Sequence, residues 1–125
     1  IYETVLYASD LSAEKDFFQD TLGLELIQES ELLLVFKIQQ SFLLIFDPDL
    51  SSEPERSVPS HGARGAGHIA FAVPSGEFDD WLSNFQQSEL EIEHLMNWGN
   101  GKQSIYFRDP AGNSLELTTP GLWGE

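Results

Sequence analysis

Three side chains capable of metal or proton chemistry stand inside short apolar segments. His68 opens the run His68–Val73, Glu116 sits at the centre of Ser114–Thr118, and Glu3 opens Glu3–Ala8. Side chains alternate between the two faces of a strand. Glu116 therefore points away from Leu115 and Leu117, and His68 shares a face with Ala70 and Ala72 rather than with Ile69, Phe71 and Val73. The two alanines leave room for a ligand beside the imidazole. By the same rule Glu3, Val5 and Tyr7 share a face. Taken singly, each has an ordinary reading. A histidine at a strand start is more often structural, and Glu3, near the first residue, is open to solvation. Glu116 says more, because a carboxylate in an apolar strand needs a partner.

Further polar groups lie around these three. Tyr106 alternates to the side opposite Phe107, and Tyr7 lies on the Glu3 face as a wall or proton donor. His61 and Arg64 fall in a long loop, placed either to close over an anionic substrate or to lie on the surface. His94, Trp98, Lys102 and Arg108 are available to line a site, although nothing in their spacing requires it.

The elements that must position these residues form one string written twice. Glu3–Ala8 reads as a strand. Ala13–Leu22 reads as a helix with Ser12 as N-cap, Glu14 and Asp16 in its first turn, and Gly23 after its end. Leu24–Gln28, Leu32–Ile38 and Phe42–Phe46 read as three strands. Asp47–Gly67 holds three Pro, four Ser and three Gly without a hydrophobic period, and is expected to be a linker or an active-site loop. The order then restarts with strand His68–Val73, helix Ser75–Gln87 capped by Ser75, and strands Leu90–Leu95, Ser104–Phe107 and Ser114–Thr118. Gly99–Gly101 and Asp109–Asn113 are turns. Phe17, Phe18, Trp81 and Phe85 are expected in the core. The reading is α+β, a single domain over 1–125. It has one βαβββ module over about 1–50, the loop 47–67, a second module over about 67–119 and a tail 120–125, with a ligand cleft expected between the paired sheet faces.

Composition narrows the function. Six Lys and Arg against 21 Asp and Glu give a net charge of −15, which argues against nucleic acid and anionic membrane as partners. With 41% hydrophobic and 12% aromatic residues the chain is expected to fold despite that charge. There is no Cys, which removes disulfides and thiolate metal sites. No membrane span or signal peptide is legible, so a cytoplasmic location is expected. The chain starts at Ile1 rather than Met, and a short preceding segment is expected.

Glu3–Leu11 leading to Phe17-Phe18 and Leu22-Gly23-Leu24, then Gly67–Val73, then Tyr106–Leu117 with its Asp109-Pro110-Ala111-Gly112-Asn113 turn, together resemble the vicinal-oxygen-chelate superfamily. That superfamily includes glyoxalase I, extradiol dioxygenases, fosfomycin-resistance enzymes and bleomycin-resistance proteins. The resemblance spans nearly the whole chain. It implies paired βαβββ modules in a U-shaped, partly open barrel, commonly a homodimer. It also implies metal ligands on the first and last strands of each module, which here are Glu3, His68 and Glu116. The last strand of module one, Phe42–Phe46, offers no ligand, a departure from the four-ligand pattern of glyoxalase I. One imidazole and two carboxylates suit Fe, Mn, Zn or Ni as the divalent metal.

The resemblance implies a metal-dependent enzyme of the lyase, isomerase or dioxygenase type. It would act on a small oxygen-rich substrate through two adjacent oxygens, with Glu116, Tyr106 and Tyr7 as catalytic groups. Fosfomycin modification is disfavoured, because Glu3 replaces His and Val5 stands where a hydroxyl residue is expected. The alternative is a metal-free binding protein for a small molecule or cationic drug, like those conferring bleomycin resistance, which the charge favours. A structural or regulatory remnant of an enzyme is a third.

Overall fold

The computed structural model describes all residues 1–125. Eight strands and three helices follow in the order β1 (Glu3–Tyr7), α1 (Leu11–Asp20), β2 (Glu25–Glu29), β3 (Leu33–Ile38), β4 (Ser41–Phe46), α2 (Pro48–Ser51), β5 (His68–Ala72), α3 (Phe78–Gln87), β6 (Ile92–Gly99), β7 (Lys102–Arg108) and β8 (Ser114–Thr118). This is the doubled βαβββ string, and it builds two four-stranded sheets of identical plan, β1-β4-β3-β2 and β5-β8-β7-β6. In each, the first strand lies parallel to the last of its module, while the three later strands run antiparallel by hairpins. The residues form two compact units: 1–67 with the turn 109–113, and 68–108 with 114–125.

In the first unit, alternation turns Leu6, Leu43, Ile45, Leu34 and Phe36 to one face, all nearly inaccessible to solvent. α1 covers that face through Phe18, whose ring lies 5.5 Å from that of Phe36. The helix begins earlier than the sequence suggests: Asp10, not Ser12, is the N-cap, its side chain accepting from the Ala13 amide. β1 ends at Tyr7, so only residues 8–10 remain to turn the chain, and Asp10 is the capping residue that this short turn delivers. Gly23 holds a φ of +66° just past the helix, the left-handed conformation that glycine adopts without cost.

In the second unit Ile105, Phe107, Leu115 and Leu117 form the equivalent face, covered by α3 through Phe78 and Phe85, with Phe85 5.0 Å from Phe107. Ser75 is not a helix cap. Residues 75–77 make one turn of 3-10 helix and α3 starts at Phe78 with no side-chain cap. β6 runs on to Gly99, well past the expected end at Leu95. The residues up to the Gly99–Gly101 turn hold no breaker, and two bulges absorb the register mismatch with β7.

The 47–67 segment is not wholly structureless. Pro48 at the first helical position and the Asp47 cap start the one-turn helix α2. Arg56 and the His61 amide then donate to the Ser51 carbonyl, and the Ser60 hydroxyl donates to that of Glu53. No helix is long and apolar enough to cross a membrane.

Asn113 ties the first unit together from the inserted turn. Its side-chain oxygen accepts from the Gly67 amide at 2.8 Å, and its amide nitrogen donates to Asp109 at 2.8 Å and to the Tyr7 carbonyl at 3.3 Å. Gly67 lies so close that a Cβ there would meet Leu6 at 3.2 Å and Asn113 at 3.4 Å. Asn113 is 2% exposed. Its replacement by Ala strands a buried amide and a carbonyl, and should lower stability by about 2 kcal/mol in urea denaturation. A change within about 0.5 kcal/mol would mean the turn does not hold the unit together.

Candidate metal and substrate site

His68 and Glu116 come together on the face of the second sheet opposite α3. β5 and β8 pair so that His68 stands beside Ser114 and Ala70 beside Glu116. The imidazole Nδ1 lies 3.0 Å from the Ser114 carbonyl oxygen, which can only accept, so the hydrogen-bond network assigns the proton to Nδ1. The other nitrogen, Nε2, then faces Glu116 Oε2 at 3.3 Å with a bare lone pair. Two lone pairs at that distance repel unless an electrophile, a proton on Nε2 or a cation, satisfies both. The second carboxylate oxygen, Oε1, is buried with no hydrogen-bond partner, and Glu116 as a whole is 6% exposed. An anchored imidazole beside a desolvated, under-satisfied carboxylate is a donor set that fits a divalent cation, with the Ser114 carbonyl orienting the ring from behind.

Tyr106 stands opposite Glu116 in the β7–β8 register, and His94 stands opposite Tyr106 in the β6–β7 register. A transverse row Ala70–Glu116–Tyr106–His94 thus crosses the sheet. The Tyr106 ring lies 6.5 Å from that of His68 and 6.2 Å from that of His94. Burial, then the negative charge of Glu116, push the Tyr106 hydroxyl above the usual phenol range. Below this row the Trp98 indole donates to Ser104 at 2.9 Å, and Ser104 donates to Thr118 at 3.1 Å. Arg108 and Lys102 are engaged elsewhere, the first with Glu93 and the second with the Gly121 carbonyl.

Glu3 lies in the first unit, exposed at the head of β1. No three His, Asp or Glu side chains stand near enough to one another to form a ready-made metal cage. His68 and Glu116 are the two donors that local structure assembles. The doubled topology also shows which residues of the first unit match them. Val5 pairs with Leu44 as Ala70 pairs with Glu116, so Leu44 is the counterpart of Glu116. Val35, opposite Leu44, is likewise the counterpart of Tyr106. On this face β4 presents only Phe42, Leu44 and Phe46, so the last strand of module one offers no ligand, while Glu3 and Tyr7 of β1 share the face.

Tyr7 is tied to His61 by a 2.7 Å hydrogen bond between its hydroxyl and Nδ1, and His61 packs edge-on against Phe46 with ring centroids 4.7 Å apart. The histidine of the long loop is therefore placed, not free. The residue that sequence reasoning missed is Glu14. Read as a solvated first-turn acid, it is 1% exposed and accepts from the Ala111 amide at 2.9 Å. Burial, then the neighbouring Asp109 carboxylate, push its carboxyl up to about 9.

Comparison with known proteins places the fold in a family. A crystal structure of lactoylglutathione lyase from Agrobacterium tumefaciens is 43% identical and superposes with a TM-score of 0.93, covering 100% of this chain and 96% of that one. Metallothiol transferase FosB of Staphylococcus haemolyticus is 29% identical over 116 residues, 91% of this chain and 78% of that protein. Biphenyl-2,3-diol 1,2-dioxygenase 3 of Rhodococcus globerulus is 27% identical over 116 residues, 90% of this chain but 59% of that protein. A family model matches residues 1–117, and the chain belongs to the Glyoxalase/Bleomycin resistance protein/Dioxygenase superfamily.

Proposed function

We propose that the protein is a divalent-metal-dependent enzyme that binds a small oxygen-rich substrate through two adjacent oxygens, with Glu3, His68 and Glu116 as the metal donors. The observation that carries this reading is the His68 Nε2–Glu116 Oε2 contact at 3.3 Å, with Glu116 buried and its other oxygen unpartnered. Relatives bearing the names metallothiol transferase and lactoylglutathione lyase support a metal-dependent reaction. Glu3 enters by its place at the head of β1, matching that of His68 at the head of β5.

An Fe, Mn, Zn or Ni ion bound there would supply Lewis-acid stabilisation of negative charge on a substrate oxygen. The chain's own groups do the rest. The Ser114 carbonyl fixes the His68 ring. Tyr106, beside Glu116 in register, presents its hydroxyl as a proton donor to the same sheet face. Glu116, held in a desolvated place, is the base available to a substrate C–H or O–H. Tyr7, hydrogen-bonded to His61, is a second proton-bearing pair.

Elemental analysis of protein purified without chelator or metal-affinity tag tests this directly. About one divalent ion per chain is expected in the parent. Less than a tenth of that is expected in His68→Ala and in Glu116→Gln, both folded by circular dichroism. Equal metal in parent and variants would overturn the site. An apo parent that stays empty after reconstitution would overturn the enzyme reading in favour of a small-molecule binder, to be screened with cationic drugs such as bleomycin.

A further inference from the structure

The first unit holds a pocket that shares only Tyr7 with the proposed catalytic groups and none of the proposed metal donors. It lies where the C-terminal end of β1 meets the last part of the long loop. Its volume is about 190 Å³, and Tyr7, Ser9, Arg64 and the chain from Ala63 to Ala66 line it, with Pro48 and Ala111 completing the wall. The lining is built mostly from small side chains around one cation, Arg64, and two hydroxyls, those of Tyr7 and Ser9. We propose that this pocket binds a small carboxylate with an apolar body of about three to six carbons, as a site separate from His68 and Glu116.

Size sets the first limit. At about 190 Å³ the pocket falls below the roughly 300–1,000 Å³ of sites that take drug-sized ligands, which favours a small ligand. Charge sets the second. Arg64 is the one cation in the lining, and it pairs with the exposed carboxylate of Asp49. A guanidinium presents a fork of donors suited to a carboxylate, and part of that fork remains for a ligand. The ligand carries one negative charge and not two, because Asp49 stays close and the whole chain carries −15. Composition sets the third. Ala8, Ala63, Ala66, Ala111 and Pro48 offer methyl and methylene surface to a hydrocarbon body.

Tyr7 adds the remaining polar contact. With His61 Nδ1 donating across their 2.7 Å bond, the Tyr7 hydroxyl is left to donate to the ligand carboxylate, the one arrangement of the pair that serves an acceptor-only group. His61 is itself fixed by Phe46, so the hydroxyl is held in place before any ligand arrives. Such pre-organisation lowers the ordering cost of binding.

The test is an amide-resolved NMR titration of the intact chain with acetate, butanoate and hexanoate, against chloride at equal ionic strength. Saturable shifts confined to residues 7–9, 63–66 and 111 are expected. Affinity should tighten about threefold per added methylene until the pocket fills, from a millimolar range typical of so small a ligand. Two variants separate a ligand-binding arginine from one that only orders the loop. Arg64→Gln should weaken binding at least tenfold, whereas Asp49→Asn, which removes the competing carboxylate, should tighten it about fivefold. A purely structural Arg64–Asp49 bridge would make both variants lose binding alike, and that result overturns the proposal. So do shifts centred on His68 and Glu116, shifts insensitive to Arg64→Gln, or none that saturate. His68→Ala, which empties the metal site, should leave carboxylate binding within twofold. The pocket and the metal reading therefore fail independently.

Discussion

Replacing Glu14 with Gln is expected to flatten the stability of the protein between pH 5 and pH 9. Glu14 accepts from the Ala111 amide through one oxygen, while its other oxygen, Oε2, is buried and meets no hydrogen-bond donor. What it does meet is the Asp109 carboxylate. Asp109 is well supplied with donors, taking the Asn113 backbone amide at 2.7 Å and the Asn113 side chain at 2.8 Å, so Asp109 carries the charge and Glu14 the proton. The protonated Glu14 then donates to Asp109. Burial, followed by that carboxylate, raises the Glu14 carboxyl from 4.5 to about 9.

The sign follows. The folded chain keeps a proton that the unfolded chain releases near 4.5, so Glu14 contributes fully below that pH and the contribution is lost as the pH rises towards 9. A shift of this size corresponds to at most about 6 kcal/mol, and relaxation around a buried charge typically lowers such penalties, here to roughly 4 kcal/mol. Gln keeps the Ala111 contact, donates its amide to Asp109 and does not titrate. The variant should match the parent near pH 4.5 and exceed it by roughly 3 kcal/mol at pH 8.5 in urea denaturation. Differences between the two curves cancel the charge repulsion common to both. A difference that does not change with pH would mean that Glu14 is ionised in the folded protein.

Glu14 also shows where sequence reading stops. An acid in the first turn of a helix is favoured by the helix dipole, and nothing local marks it as buried. Its cover is the turn containing Ala111, 97 residues away. Such tertiary burial leaves no periodic trace. The His61–Tyr7 bond, spanning 54 residues, was out of reach for the same reason, as was the Ser114 backbone carbonyl that orients His68, because main-chain acceptors have no sequence signature.

What was legible rested on short-range rules. β8 was found at its true ends because a turn fixes its start and Leu115-Glu116-Leu117 fixes its faces. The same turn, centred on Ala111, dictates that Tyr106 faces Glu116, ten residues apart across a hairpin. The doubled element order revealed the two sheets. The start of α1 is ambiguous in the sequence because Asp10 and Ser12 are both capping residues, and only the short link from β1 chooses between them. The helix in 47–67 leaves no trace in the sequence pattern because one turn is too short to show a period.

Glu116→Leu should make the protein more stable while removing its metal. The two units supply the comparison: at matching places in the same sheet plan, module one has Leu44 and module two has Glu116. Leu44 is 7% exposed and Glu116 6%, so both sites are desolvated, but only one is filled by a group that water would otherwise hold. An unpartnered buried carboxylate oxygen costs on the order of 1–3 kcal/mol. Leucine removes that cost and packs beside Ala70 and Tyr106 as Leu44 packs beside Val5 and Val35. The groups left behind, His68 at 49% side-chain exposure and a half-buried Tyr106, have access to water for their lost contact.

The metal-free variant should therefore melt about 3–8 °C above the metal-free parent. Added divalent ion should raise the melting temperature of the parent and leave that of the variant unmoved. Glu116→Gln separates charge from shape. It keeps the size, removes the charge and should fall between the two in stability, with the same loss of metal response. Removing one partner from a buried ion pair typically costs about 3–5 kcal/mol. If Glu116→Leu is destabilised by that amount, Glu116 serves His68 in the fold and the metal reading loses its central observation. A stabilised and metal-blind variant identifies Glu116 as a carboxylate kept, at the expense of stability, for what it binds.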